Sequence, residues 1–96
     1  MSETVQDQLY YEKFRDQLNT GMKFPEDYPF KFIVKTDTDA QKQIEALFEG
    51  TGAKISTTPS SKGNYTSVTI IFHASSADEI IDKYKAAAGI PDVIKL

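Results

Sequence analysis

Apolar and polar positions along this chain fall into two alternating periods, one near 3.6 residues and one of 2. From residue 5 to 20, Tyr11, Phe14 and Leu18 follow at spacings of three and four, with Leu9 and Tyr10 beside them, which predicts an amphipathic helix. Asn19-Thr20-Gly21 supplies a C-terminal stop. Phe24-Pro25-Glu26-Asp27-Tyr28-Pro29 reads as a proline-bounded connector. In FKFIVKT, residues 30–36, Phe30, Phe32 and Val34 alternate with Lys31, Ile33 and Lys35, the pattern of a half-buried strand.

The period then lengthens again. Thr36-Asp37-Thr38-Asp39 offers N-cap oxygens to a helix whose apolar face is Ala40, Ile44, Leu47 and Phe48, closed at Gly50 or Gly52. AKIST, residues 53–57, is a second short strand. PSSKGN turns the chain into YTSVTIIFH, residues 65–73, with Val68, Ile70 and Phe72 on one face. Ser76 and Glu79 form a capping box for a helix that buries Ala77, Ile80, Ile81, Tyr84 and Ala88 and stops at Gly89. Residues 91–96 make a closing edge strand.

This order predicts an α+β protein: a ferredoxin-like split βαβ unit (βαββαβ) with a four-stranded antiparallel sheet, preceded by an N-terminal helix. The fourth strand is expected beside the first, then the third and the second, with residues 38–50 and 76–88 on one face. The chain divides into a helical extension, residues 1–23, and a ferredoxin-like domain, residues 24–96. Phe30, Phe32, Val34, Ile55, Val68, Ile70 and Phe72 are the expected core. Alternation then puts Lys31, Ile33, Lys35, Lys54, Ser56, Thr58, Tyr65, Ser67, Thr69, Ile71 and His73 on an open face.

Length and composition narrow the function classes. Ninety-six residues hold one modest core. The chain has no cysteine, which removes thiolate chemistry and disulfides and suits a reducing compartment, so a cytoplasmic location is expected. The N-terminus MSETVQDQLYYEKF lacks a signal-peptide pattern, and no segment reaches the length of a membrane span. Net charge is −3 with a pI near 5.0, opposite to the footprint of a protein that binds nucleic acid through phosphates. Lys62-Gly63 begins the RNA-binding pattern of open ferredoxin-like sheets, but Asn64, Thr66 and Thr69 stand where stacking aromatics are required.

Catalytic groupings are absent from the pattern. The single histidine, His73, closes a strand with no serine and acid assignable to it. Asp37, Asp39, Asp78 and Glu79 belong at helix starts for cap and dipole reasons, which removes the metal reading. No cofactor and no enzymatic activity are expected. The stretch that carries candidate chemistry is PSSKGNY, residues 59–65: Ser60, Ser61, Lys62, Asn64 and Tyr65 are candidate ligand-binding residues. Glycine and asparagine there also suffice for an ordinary hairpin.

Pro59-Ser60-Ser61-Lys62-Gly63-Asn64-Tyr65, then Ser67-Val68 and Thr69-Ile70-Ile71, resembles the signature hairpin of the YbeD-like family, uncharacterised bacterial proteins once proposed to regulate lipoate metabolism. Phe24-Pro25 and Pro29-Phe30 are similar to that family's entry into the first strand. The resemblance spans about residues 24–96 and leaves the N-terminal helix as a departure. It implies a ferredoxin-like domain similar to ACT regulatory domains, which bind small effectors and pair through sheets or helices, and it brings no catalytic residue. Two functions are therefore expected. One is a regulatory module that binds a small anionic effector or a carboxylate-bearing partner. The other is a protein-interaction or assembly module, a homodimer included, with no small ligand.

Overall fold

A computed structural model describes residues 5–95. It contains helix α1 (Val5–Gly21), strand β1 (Glu26–Lys35), helix α2 (Ala40–Ala46), strand β2 (Lys54–Pro59), strand β3 (Tyr65–Ala74), helix α3 (Ala77–Ala88) and strand β4 (Val93–Lys95). The strands form one antiparallel sheet in the order β2-β3-β1-β4. This is the arrangement expected of a ferredoxin-like split βαβ unit. No helix among the described residues is long and apolar enough to cross a membrane.

The core lies between the sheet and the helices. Phe30, Phe32, Val34, Val68 and Ile70 are fully enclosed on the sheet's inner face, and Phe72 nearly so. Ile44 of α2 and Ile80 and Ile81 of α3 close over them. Phe30 is the hub of an aromatic cluster, with Tyr84 at 4.8 Å, Tyr28 at 4.9 Å and Phe48 at 5.1 Å between ring centroids. The hydroxyls of Tyr28 and Tyr84 hydrogen-bond to each other at 2.9 Å. Burial of that phenol and its contact with Tyr28 push the pKa of Tyr84 well above the ordinary tyrosine value.

Three expectations are corrected and a fourth is narrowed. The first strand starts at Glu26, so residues 26–29 are ladder and not connector. Pro29 is tolerated there because, among the described residues, β4 pairs with Phe32, Ile33 and Val34 alone, which leaves that end of β1 with β3 as its neighbour. Ile55 is not core: it is 40% exposed. Among the strands, α2 packs chiefly on β1 and α3 on β3, so β2 lies at an edge that neither covers. Ala87 is buried at the end of α3, whereas Ala88, the last helical residue, sits at the rim and is exposed. Lastly, the oxygen that serves the start of α2 belongs to Thr38, whose hydroxyl accepts from the Ala40 amide at 3.2 Å and donates to the Lys35 carbonyl at 2.7 Å. Asp39, the N-cap residue, makes no side-chain cap bond.

Helix α3 begins as its sequence requires. The Glu79 amide donates to the Ser76 hydroxyl at 3.3 Å, and the Glu79 carboxylate accepts from the Ser75 amide at 2.7 Å. Helix α1 lies against α3. Leu18 is buried, Phe14 meets Tyr84 edge-on at 5.6 Å, the Lys85 ammonium sits 5.0 Å from the Tyr11 ring centre, and the Arg15 guanidinium donates to the Asp78 carboxylate at 2.5 Å. Leu9 and Tyr10 remain exposed.

Candidate functional site

The PSSKGNY stretch joins β2 to β3. The Ser60 amide donates to the Tyr65 carbonyl at 2.8 Å, and the Gly63 amide donates to the Ser60 carbonyl at 2.9 Å. The Ser60 hydroxyl accepts from the Tyr65 amide at 3.2 Å. Gly63 carries the positive φ, +75°, which a residue with a Cβ adopts only at a cost. Because Ser60 and Tyr65 bond across the ladder, strand alternation turns the backbone nitrogen of Pro59 to the outer edge, where its missing hydrogen removes no ladder bond.

The hairpin is anchored to the connection between β1 and α2. The Thr36 amide donates to the Asn64 carbonyl at 2.9 Å, and the Thr36 and buried Thr66 hydroxyls are 3.0 Å apart. The Lys35 amide in turn donates to the Asp92 carbonyl at 3.1 Å, so the connection before β4 joins the same end of the sheet. Asp37 and Asp92 both adopt left-handed backbone there, at φ of 69° and 63°. Such conformations are uncommon outside glycine and gather where surrounding structure enforces them.

These contacts shape an open depression of about 470 Å³ lined by Lys35, Thr36, Asp37, Thr38, Asn64 and Tyr65. Its volume lies in the range of small-molecule sites. Two of the five sequence-derived candidates, Asn64 and Tyr65, belong to its wall. Ser60, Ser61 and Lys62 form the exposed turn beside it and are not among its lining residues. Sequence reading missed Thr36, Asp37 and Thr38 as site residues because it assigned them to helix capping, and the register that brings them against Asn64 is tertiary. One lysine, one aspartate, two threonines, one asparagine and one tyrosine line this space, with the Thr36 hydroxyl engaged by Thr66 and the Thr38 hydroxyl by the Lys35 carbonyl.

A second depression of equal volume lies between α2 and β2, lined by residues that include Phe48, Ala53 and Ile55. His73 and Asp27 form a cross-strand pair, 2.8 Å between Nδ1 and Oδ1, with both side chains about two-thirds exposed. Among the described residues no group of three or more His, Cys, Asp or Glu side chains is placed to hold a metal ion.

A family model for a protein of unknown function (DUF493) matches residues 19–96. The chain belongs to this family. DUF493 comprises the YbeD-like proteins, so the hairpin resemblance and the family match agree. Among its relatives is a UPF0250 protein of Paraburkholderia phytofirmans, 33% identical over 76 residues, covering 74% of this chain and 85% of the relative. Another is a UPF0250 protein of Paraburkholderia phymatum, 35% identical over 75 residues, covering 73% and 84%. No solved structure matches. The DUF493 match begins within α1, so most of that helix precedes the family region, while the hairpin and the depression lie inside it.

Proposed function

We propose that this DUF493 protein is a non-catalytic regulatory module of the cytoplasm that binds a small anionic effector, or a carboxylate-bearing partner, at the depression between the β2–β3 hairpin and the β1–α2 connection. The observation that carries this reading is the convergence of Lys35, Thr36, Asp37, Thr38, Asn64 and Tyr65 on one open space. Lys35 supplies the charge, and the Asn64 amide and Tyr65 hydroxyl supply directional donors. The absence of cysteine from the sequence favours the reducing compartment. The hairpin tip, with Lys62, Ser60 and Ser61, extends the same edge toward solvent and gives a bulkier ligand further donors.

The test is a titration of isotope-labelled protein with inorganic phosphate and a panel of short mono- and dicarboxylates, followed by amide shifts. Perturbations are expected to centre on residues 35–38 and 64–65, to shrink with added salt, and to vanish in Lys35→Glu. Perturbations that persist unchanged in Lys35→Glu would refute the site. Lys62→Glu measures the contribution of the hairpin tip separately.

An assembly function without a small ligand is favoured by a different observation, the exposure of Ile55 and Ile94 on the two edge strands. Self-association that rises with protein concentration and is lost in Ile55→Ser or Ile94→Ser would support it.

A further inference from the structure

The outer face of the sheet has no covering layer among the described residues, and its register defines what it offers. Across the strands, Lys54 lies opposite Ile71 and Ile71 opposite Pro29; Ser56 opposite Thr69 and Thr69 opposite Lys31; Ile33 opposite Ile94; and Tyr65 opposite Lys35. Residues directly opposite share a face, so these side chains form one surface. It is cationic at Lys31, Lys35 and Lys54, with Asp27 as the acid and His73 beside it. The whole chain carries −3, so this face is opposite in sign to the molecule. Ile33, half-buried, lies between Lys31 and Lys35 on β1, with Ile94, 54% exposed, opposite it on the edge strand β4; Ile71, half-buried, lies opposite Lys54.

We propose that this face docks an acidic amphipathic helix of another protein. This inference rests on the reading of the chain as a binding module; the face shares Lys35 and Tyr65 with the depression, while Lys31, Lys54, Ile33 and Ile94 lie outside it. Lys31 and Lys35 are separated by about 14 Å along β1, at ~3.4 Å per residue, and Lys54 stands two strands away, about 10 Å to the side. A helix about 10–12 Å wide therefore fits across the strands over Ile33 and Ile94, with Lys35 on one flank and Lys31 and Lys54 on the other. Pairing of two copies through this face is opposed by its own charge, since lysine would meet lysine. Nucleic acid is disfavoured by aliphatic side chains at the centre, where base stacking needs rings.

The probe is a fluorescent helical peptide with a leucine stripe flanked by glutamates, compared with a twin in which every glutamate is glutamine. The glutamate peptide is expected to bind at least about tenfold more tightly than its twin at low salt, and to lose that margin at ~1 M salt, where the screening length falls to about 3 Å. The double variant Lys31→Glu, Lys54→Glu is expected to weaken binding at least about tenfold; Lys31→Gln with Lys54→Gln serves if the reversal disturbs folding. Ile94→Ser is expected to weaken both peptides, reporting the aliphatic contact. Asn64→Ala separates the two sites: it should impair carboxylate binding at the depression and leave the peptide unaffected. Equal binding of both peptides, indifference to the lysine pair, or stronger lysine-dependent binding of single-stranded RNA or anionic vesicles would overturn the proposal.

Discussion

Phe30→Ala tests the architecture at the point where most of the core converges. The side chain is 0% exposed and its ring lies within 6.1 Å, centre to centre, of Tyr28, Phe32, Phe48, Phe72 and Tyr84. Those partners come from β1, β3 and α3 and from the turn after α2, so collapse around a cavity requires several elements to shift together. Truncating a buried phenylalanine costs about 3–5 kcal/mol, and lost edge-to-face contacts push this case to the upper end. Against a total stability of roughly 5–15 kcal/mol, the variant should be marginal. Urea unfolding followed by circular dichroism should show a loss of about 4–5 kcal/mol at constant m. In a domain of this size that corresponds to a melting decrease of about 16 °C or more. Phe30→Leu should recover more than half. A loss below about 1 kcal/mol for Phe30→Ala would mean that this ring is not enclosed and that the sheet's inner face is wrongly assigned.

Three further outcomes bear on other parts of the molecule. Gly63→Val should cost at least about 1 kcal/mol through backbone strain alone, because no atom lies within 4 Å of an added Cβ; Lys62→Glu at the exposed neighbouring position should stay within about 0.5 kcal/mol, and equal effects in chemical denaturation would remove the positive φ from the account. Tyr84 keeps its proton in the folded state to higher pH than an unfolded tyrosine, which ionises near pH 10; its contribution is complete below about pH 10 and should fall by about 1.4 kcal/mol per pH unit above it, a slope that Tyr84→Phe should reduce in alkaline melts and that would count against burial of the phenol if unchanged. Phe14→Ala should accelerate amide exchange throughout α1 while the sheet stays protected, since isolated helices of this length are marginal; uniform exchange in wild type and variant would show that the Phe14–Tyr84 contact does not hold the helix.

Much of the fold was legible because its signals are local. The alternation of Phe30, Phe32 and Val34, the capping pair Ser76 and Glu79, and the glycine of the hairpin each describe a few neighbouring residues, and the structure places each as that local chemistry requires. The candidate site was legible only in part. Asn64 and Tyr65 stand out in sequence because they follow a turn glycine, but Thr36, Asp37 and Thr38 look like cap residues until β1 is laid beside β3.

The sequence by itself determined which way the residues of β1 and β3 face, where α3 starts and how the chain reverses, since hydrophobic period and turn chemistry act over short separations. Tertiary structure decided the rest. Whether Ile55 is covered depends on how far two helices reach across the sheet, and whether Pro29 ends a strand or sits in one depends on the length of β4 beside it. The depression exists because the Thr36 amide finds the Asn64 carbonyl from a distant part of the chain. Each of these is set by register and by competition between elements for the same sheet surface, quantities that no local pattern encodes.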